Sequence, residues 1–498
     1  MCFPPIGIDV SCRFSDCHAS VVLTVGSPTL AAFSLALTAV NTRWAYKRFS
    51  AVDYPNCKKA VKALVFLQQV PLRLTTCNGL LASLIVLSEN DDWWGYLVYR
   101  LEQTHTWSIA AAASIIWVIT AFAFSIVNSL MALGENVNSN GQGVGSLWLW
   151  LIPIIVGSLW TPVCSYDKLN IAIDKANDLA FVAALDSPPQ VDGSPDINTP
   201  RRVSDISHAQ AVRIYKKKKV FTKDAARTAP VFNYSRIWEW SSAVETMARA
   251  FEHADGNARR HIPVNPRNAW VYLDDKHLAN HRDNRTGTVA QVQAYCGFPV
   301  QGDREPTRTV PSGMWKRLFI ASVVALGLQW GTTASAAIVV IFTPTTGLGC
   351  RSGSYILYGI VSTIIWLALL LSSYLAHHAK VLHDDNVTPG SGFDSVSLAK
   401  SLATSLRRLS ILAAGFNALY VILVCVFQFS SFYGTCYCNS SVLGRGSQHA
   451  YNIIAAGYDY NRTKAAWIGG AALGGGCVFL FLFFLHLVIE PFRGVKDR

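Results

Sequence analysis

The side chains best suited to chemistry in this sequence are histidines, cysteines and a run of lysines. His277 and His281 are four residues apart and would share one face of a helix, while His377, His378 and His383 cluster with Asp384 and Asp385. Zinc sites draw on four ligands, usually paired Cys and His at short fixed spacings, and neither group supplies that set. Both are read as ordinary surface histidines, so no metal and no cofactor is implied. The stretch TPTTGLGCRSGS at 343–354 carries Cys350 and Arg351 in a glycine-rich turn. A phosphate-cradling loop would need a Gly-Lys-Ser or Gly-Lys-Thr signature after a strand, and none follows. No nucleophile elbow, pair of catalytic carboxylates or dinucleotide fingerprint appears either, which leaves an enzyme without support.

The elements that would position these residues come from composition. The chain has 498 residues, 51% of them hydrophobic and only 15% charged, with mean hydropathy +0.27. Soluble domains carry about 25% charged residues. The apolar residues gather in seven runs, at 20–40, 107–133, 147–163, 318–342, 355–376, 409–429 and 465–489. Most approach the roughly 20 residues needed to cross a hydrocarbon layer. The first is interrupted by Gly26, Ser27 and Pro28, and the third is short and holds Pro153. The expectation is an all-α integral membrane protein with a seven-helix bundle.

Lysine and arginine favour the cytoplasmic flanks of membrane helices. Arg43, Lys47, Arg48, Lys58 and Lys59 follow the first run, and Lys168, Lys175, Lys316 and Arg317 bracket the long connection after the third. Lys380, Lys400, Arg407 and Arg408 lie between the fifth and sixth runs, and Arg493, Lys496 and Arg498 end the chain. The alternation places the N-terminus outside and the C-terminus in the cytoplasm. The first helix would insert as its own signal, since no charged leader precedes an apolar core.

On this threading Cys350 shares the outer face with Cys2, Cys12, Cys17, Cys436 and Cys438, where disulfides are favoured. The sequence does not fix the pairing, although a bond from Cys350 to Cys436 or Cys438 would tie two outer loops together. Sequons at Asn439 and Asn461 fall outside as well and are candidate glycosylation sites. Those at Asn233, Asn284 and Asn386 fall inside and would stay bare.

The stretches RLEQTHTWSIAAAASIIWVITAFAF (100–124) and LQWGTTASAAIVVIFTPTTGLGCRSGSYILYGIVST (328–363) resemble a group of uncharacterised polytopic membrane proteins of filamentous fungi. GSPTLAAFSLALT (26–38) and GLLASLIVLSENDDWW (79–94) add to the likeness, which covers most of the membrane portion. The resemblance implies a fungal membrane protein with no known activity, so it carries over no functional residue. G-protein-coupled receptors share the seven-helix threading only. The third run ends in TPVCSYDKLN without Asp-Arg-Tyr, and the seventh lacks Asn-Pro-x-x-Tyr.

The middles of all seven runs lack Asp, Glu, Lys and Arg, which argues against transport coupled to ions or protons. The deeper polar residues are neutral: Asn128, Gln329, Thr332, Thr333, Asn417 and Gln428. Interhelical hydrogen bonding is their expected use, although a cavity lined by Gln329, Asn417 and Asn128 would favour solute passage. Gly327, Gly331 and Ser335 form one small-residue ridge, and Gly470 with Gly474 another. Packing inside the bundle is expected of both; the other use is homo-oligomerisation.

On the cytoplasmic side, 60–74 and 79–101 are apolar but too short to span. They read as in-plane amphipathic helices, with Trp93, Trp94 and Tyr96 at headgroup depth, or as a small subdomain. Residues 187–232 read as a disordered linker. Within it Arg201-Arg202-Val203-Ser204 makes Ser204 a candidate phosphorylation site, and Lys216, Lys217, Lys218 and Lys219 are a candidate site for anionic lipid headgroups, at about 1 kcal/mol per charge. In the expected helix 235–254, Ile237, Trp240, Val244, Met247 and Phe251 form one apolar stripe that should dock within the protein.

The expected domains are an outer N-terminus at 1–19, helices one to three at 20–163 with a cytoplasmic amphipathic segment at 41–106, a cytoplasmic loop at 164–316, helices four to seven at 317–489 and a tail at 490–498. The expected role is non-enzymatic, receptor-like, scaffolding or regulatory; the rival is a channel or facilitator for a neutral or weakly polar solute. Expected partners are membrane lipids, including anionic ones, and a cytoplasmic protein held through 165–316, with no nucleic acid. The expected location is the plasma membrane or an endomembrane.

Overall fold

The computed structural model describes residues 14–102, 109–131, 140–161, 166–184, 200–202, 210–214, 230–272, 281–299, 313–342, 348–385, 393–434 and 460–493. They are mostly helical. Helix α1 (Phe14–Gly26) is followed by α2 (Pro28–Phe49), with Ser27 alone between them. Proline cannot donate the bond that a continuing helix needs, but it fits the first helical position. Ser27 caps α2, its Oγ accepting from Leu30 N at 3.3 Å, and the axis bends by 104°.

Short elements follow: α3 (Cys57–Leu67), β1 (Leu72–Leu74), α4 (Leu80–Val86) and α5 (Asp91–Glu102). The apolar α6 (Ile109–Met131) leads to α7 (Asn140–Trp148) and α8 (Leu151–Trp160), then α9 (Tyr166–Asn177). Three strand fragments come next, β2 (Phe181–Val182), β3 (Arg201–Arg202) and β4 (Val212–Ile214). A 3₁₀ segment, Pro230–Ser235, runs into α10 (Ile237–Arg259), and α11 (Val289–Tyr295) completes this part. The long helices α12 (Met314–Ile341), α13 (Cys350–Asp385), α14 (Phe393–Phe429) and α15 (Tyr460–Arg493) close the chain.

Five helical stretches are long and apolar enough to cross a bilayer: Gln142–Trp160, Met314–Ile341, Cys350–Val381, Val396–Phe429 and Thr463–Glu490. Counting the bent α1–α2 pair as one span makes six. The expected seven are therefore not all present as straight spans. The first run is broken at Ser27, and within α6 only the shorter stretch Ala112–Val127 qualifies as apolar helix.

Two cores result. The membrane bundle buries Phe33, Trp150, Ala325, Trp366 and Leu485, among others, where α2, α8, α12, α13 and α15 meet. A second core, here called the base, buries Leu64, Trp93, Trp94, Trp240, Phe251 and Val292. It overturns the in-plane placement of 60–74 and 79–101. Trp93 and Trp94 are 0% and 1% exposed, with ring centroids 4.7 Å apart. Trp94 Nε1 donates to Leu84 O at 2.9 Å and Trp240 Nε1 to Leu64 O at 2.8 Å. The apolar faces of these short helices cover the stripe on α10, so protein takes the place that lipid was expected to fill.

Parts of the expected linker are also ordered. β4 pairs antiparallel with β1, Arg213 opposite Arg73, and β3 pairs with β2. The segment Pro230–Ser235 is fastened beneath the bundle: Ser34 Oγ donates to Val231 O, Asn233 Nδ2 to Thr38 Oγ1 and Ser373 Oγ to Tyr234 O. Backbone pairing of this kind leaves little signature in composition.

Candidate functional site

The break between α1 and α2 lies deep in the bundle. Its neighbours are Ser362, twelve residues from the start of α13, and Asn417, twelve from the end of α14. At 1.5 Å per residue each lies about 18 Å in from that helix end, well inside the apolar stretch. Backbone groups freed there have no water to bond and must be satisfied by protein. Tyr358 OH donates to Val25 O at 2.6 Å, and Asn417 Nδ2 donates to Gly26 O at 2.7 Å and Tyr358 O at 3.3 Å. Ser27 Oγ donates to Ser362 O at 2.8 Å, and the hydroxyls of Thr29 and Ser362 are 3.0 Å apart. All of these side chains are buried. Gly26 is required by close approach, because a Cβ there would stand 2.0 Å from Ala414 O. The carbonyl end of one helix and the amide end of another, of opposite partial charge, thus face a neutral polar cluster inside the bundle.

The second feature is the junction between bundle and base. Arg317, 4% exposed, donates through Nη1 to Asn41 Oδ1 at 2.6 Å and through Nη2 to Ser241 Oγ at 3.1 Å. Its Cζ stands 3.8 Å from the Trp44 ring centroid. One side chain thereby joins α2, α10 and α12. Arg48, near the end of α2, binds Glu245 at 3.0 and 3.1 Å and also grips Glu252. Burial alone would raise the Glu245 carboxyl, but the bonds from Arg48 and Arg249 hold it below its ordinary value. Trp238 stacks on His377 at 4.7 Å and 9°, and Lys380 Nζ meets Glu239 at 2.7 Å.

Inside the base, Arg285 (2% exposed side chain) holds Asp91 through two bonds at 2.9 and 2.7 Å and Val86 O at 2.7 Å. Burial pushes the Cys57 thiol up to about 12 and raises Cys296, Tyr54 and Tyr295 strongly as well. Such thiols are held away from the thiolate form that nucleophilic chemistry requires.

Of the residues marked by the sequence, Gly331, Gly470 and Gly474 come together where α12 meets α15. A Cβ on Gly331 would stand 2.2 Å from Cys477 Sγ, one on Gly470 2.6 Å from Val339 Cγ2 and one on Gly474 2.9 Å from Ser335 Oγ. Gly327 has nothing within 4 Å of such a Cβ and stands outside the contact. Gln329 Nε2 donates to Thr333 Oγ1 one turn along α12, at 2.8 Å, while Asn417 serves the break. Cys350 opens α13 half-buried, and no disulfide forms among the described residues. Cys12, Cys436, Cys438, Asn439, Ser204, Lys216, Lys217, Lys218, Lys219 and His277 lie outside the described residues, as do the side chains of Cys17, Asn128 and Asn461. Among the described residues no three His, Cys, Asp or Glu side chains are placed to hold a metal.

The sequence reading missed the break, although Gly26, Ser27 and Pro28 inside an apolar run were its signal. It also missed the Arg317 clamp, for which no local pattern exists. The arrangement is that of an α-helical integral membrane protein with an attached base. Compared with known protein families, curated proteins and solved structures, the chain has no match in any of the three.

Proposed function

We propose that this is a non-enzymatic membrane protein of the receptor-like or regulatory kind, in which the state of the bundle is passed to the base. One observation carries the reading: two helices each belong to both cores. α2 gives Leu30, Phe33 and Leu37 to the bundle and Ala45 and Phe49 to the base; α10 gives Ile237 and Trp238 to the bundle and Trp240, Val244 and Phe251 to the base. A displacement of α2 in the bundle, or of α10 beneath it, is thereby passed to the other core. Lysine and arginine placement supports a cytoplasmic base, seven crossings including the broken one, and an outer N-terminus. In this setting Lys216 to Lys219 would meet anionic headgroups, phosphate on Ser204 would weaken that attraction, and a cytoplasmic partner would be held through 165–316.

A second reading, facilitated passage of a neutral solute, is favoured by the helix break inside the bundle, since transporters place their sites at such discontinuities. Two measurements on the full-length protein separate the readings. Proteoliposomes loaded with glycerol or urea should release them no faster than protein-free vesicles. Photocrosslinkers at Tyr99 and Tyr272, 58% and 72% exposed on the base, should capture one stoichiometric soluble partner from intact cells. Protein-dependent solute release without such a partner would move the assignment to the facilitator.

A further inference from the structure

We infer that the bundle holds ordered water between α7, α12, α13 and α15, bound by Gln142, Ser146 and Tyr355. These side chains are 1%, 0% and 0% exposed. Gln142 Oε1, Ser146 Oγ and Tyr355 OH each find no hydrogen-bond partner among the described residues. Buried polar atoms are nearly always satisfied, so such atoms on one face of α7 and on the tyrosine packed against it call for a ligand.

Geometry brings them together. Gln142, Gly143 and Ser146 are spaced by three and four along α7 and share one face. Gln142 Nε2 is anchored on Trp467 O of α15 at 2.7 Å, which fixes where its oxygen can lie. On the α13 side Tyr355 reaches the same face, for a Cβ on Gly143 would stand 3.6 Å from its hydroxyl. Glycine therefore lets α7 approach closely both the phenol and Val340 Cγ2, which is 3.0 Å from the same point.

The chemistry names the ligand. The amide oxygen can only accept, while the two hydroxyls must each donate and can also accept. Arg351, one turn before Tyr355, is the charged side chain that acts on the phenol, and no carboxylate does among the described residues. A small neutral molecule that both donates and accepts meets these needs, and water is the smallest; buried waters commonly make about three such bonds. The inference holds whether the protein signals or conducts.

The test uses full-length protein in lipid nanodiscs. Brief X-ray radiolysis oxidises a buried tyrosine only where water lies against it. Tyr358, one turn along α13 and 1% exposed, has its hydroxyl bonded to Val25 O and serves as the dry control. Tyr355 should be oxidised several-fold faster than Tyr358, with the isotope carried into the product from ¹⁸O-water. Ser146→Ala and Tyr355→Phe supply the second arm. If water bridges the group, each variant removes one of its partners and lowers Tm; in a dry site each relieves an unpaired hydroxyl and raises it. Oxidation of Tyr355 at the rate of Tyr358, or a Tm unchanged or raised in either variant, overturns the inference.

Discussion

The guanidinium of Arg317 lies 3.8 Å from the centre of the Trp44 ring, and that contact joins α2 to the spanning helix α12 at the level where the base begins. The arginine is buried and bonded to neutral acceptors, so the ring face is a substantial part of its stabilisation. Trp44→Leu should lower stability by about 1–2 kcal/mol, and the loss should shrink when Arg317→Met is already present. Thermal unfolding of the two single variants and the double variant in detergent measures the coupling. Equal losses in both backgrounds would show that the contact contributes nothing.

Asn417 satisfies Gly26 O at the helix break and adds a bond to Tyr358 O within α13, and Gln329 bonds only within its own helix. Asn417→Leu should therefore cost about 1–3 kcal/mol by orphaning the Gly26 carbonyl. Gln329→Leu should cost less, and its oxygen has no partner to lose among the described residues. Comparing the two Tm values checks the ranking.

The α12–α15 contact predicts an asymmetry between two glycines of one ridge. Gly331→Ala places a methyl 2.2 Å from Cys477 Sγ and should destabilise by about 1–3 kcal/mol, whereas Gly327→Ala meets nothing within 4 Å and should be tolerated. Cys477→Ala should rescue part of the first loss. If Gly327→Ala instead abolishes a dimer, the outer ridge serves self-association.

Alkali should loosen the base. Folding holds the Cys57 proton up to about pH 12, against an unfolded thiol near 8.5–9. Between those values the folded state binds more protons than the unfolded one, so stability falls as pH rises, by up to about 1.4 kcal/mol per pH unit for this group. Denaturation midpoints from pH 8 to 11 should decline, and Cys57→Ala should make the decline shallower.

Sidedness has a clean reporter in Cys77, which is exposed, while Cys57 and Cys296 are buried. A membrane-impermeant maleimide should label Cys77 only after cells are permeabilised; modification mapped to Cys77 in intact cells would invert the orientation. Glycan mapping at Asn284 or Asn233 cannot report it. Asn284 is 1% exposed and spends its amide on both backbone atoms of Val271, and Asn233 bonds Thr38 Oγ1.

The sequence by itself determined that this chain lives in a membrane, because apolar run length is a local property that lipid thickness reads directly. It also determined α10 and its stripe, since a period of 3.6 is written in one segment. It marked Gly331, Gly470 and Gly474 as small, though not that they would meet one another. Tertiary structure alone decided the rest. That Trp93 and Trp94 face α10 and not lipid, that the run at Ser27 turns by 104°, and that Arg317 finds Trp44 all depend on partners tens to hundreds of residues away. Amphipathic periodicity fixes which face of a helix is apolar, and it is silent about what covers that face.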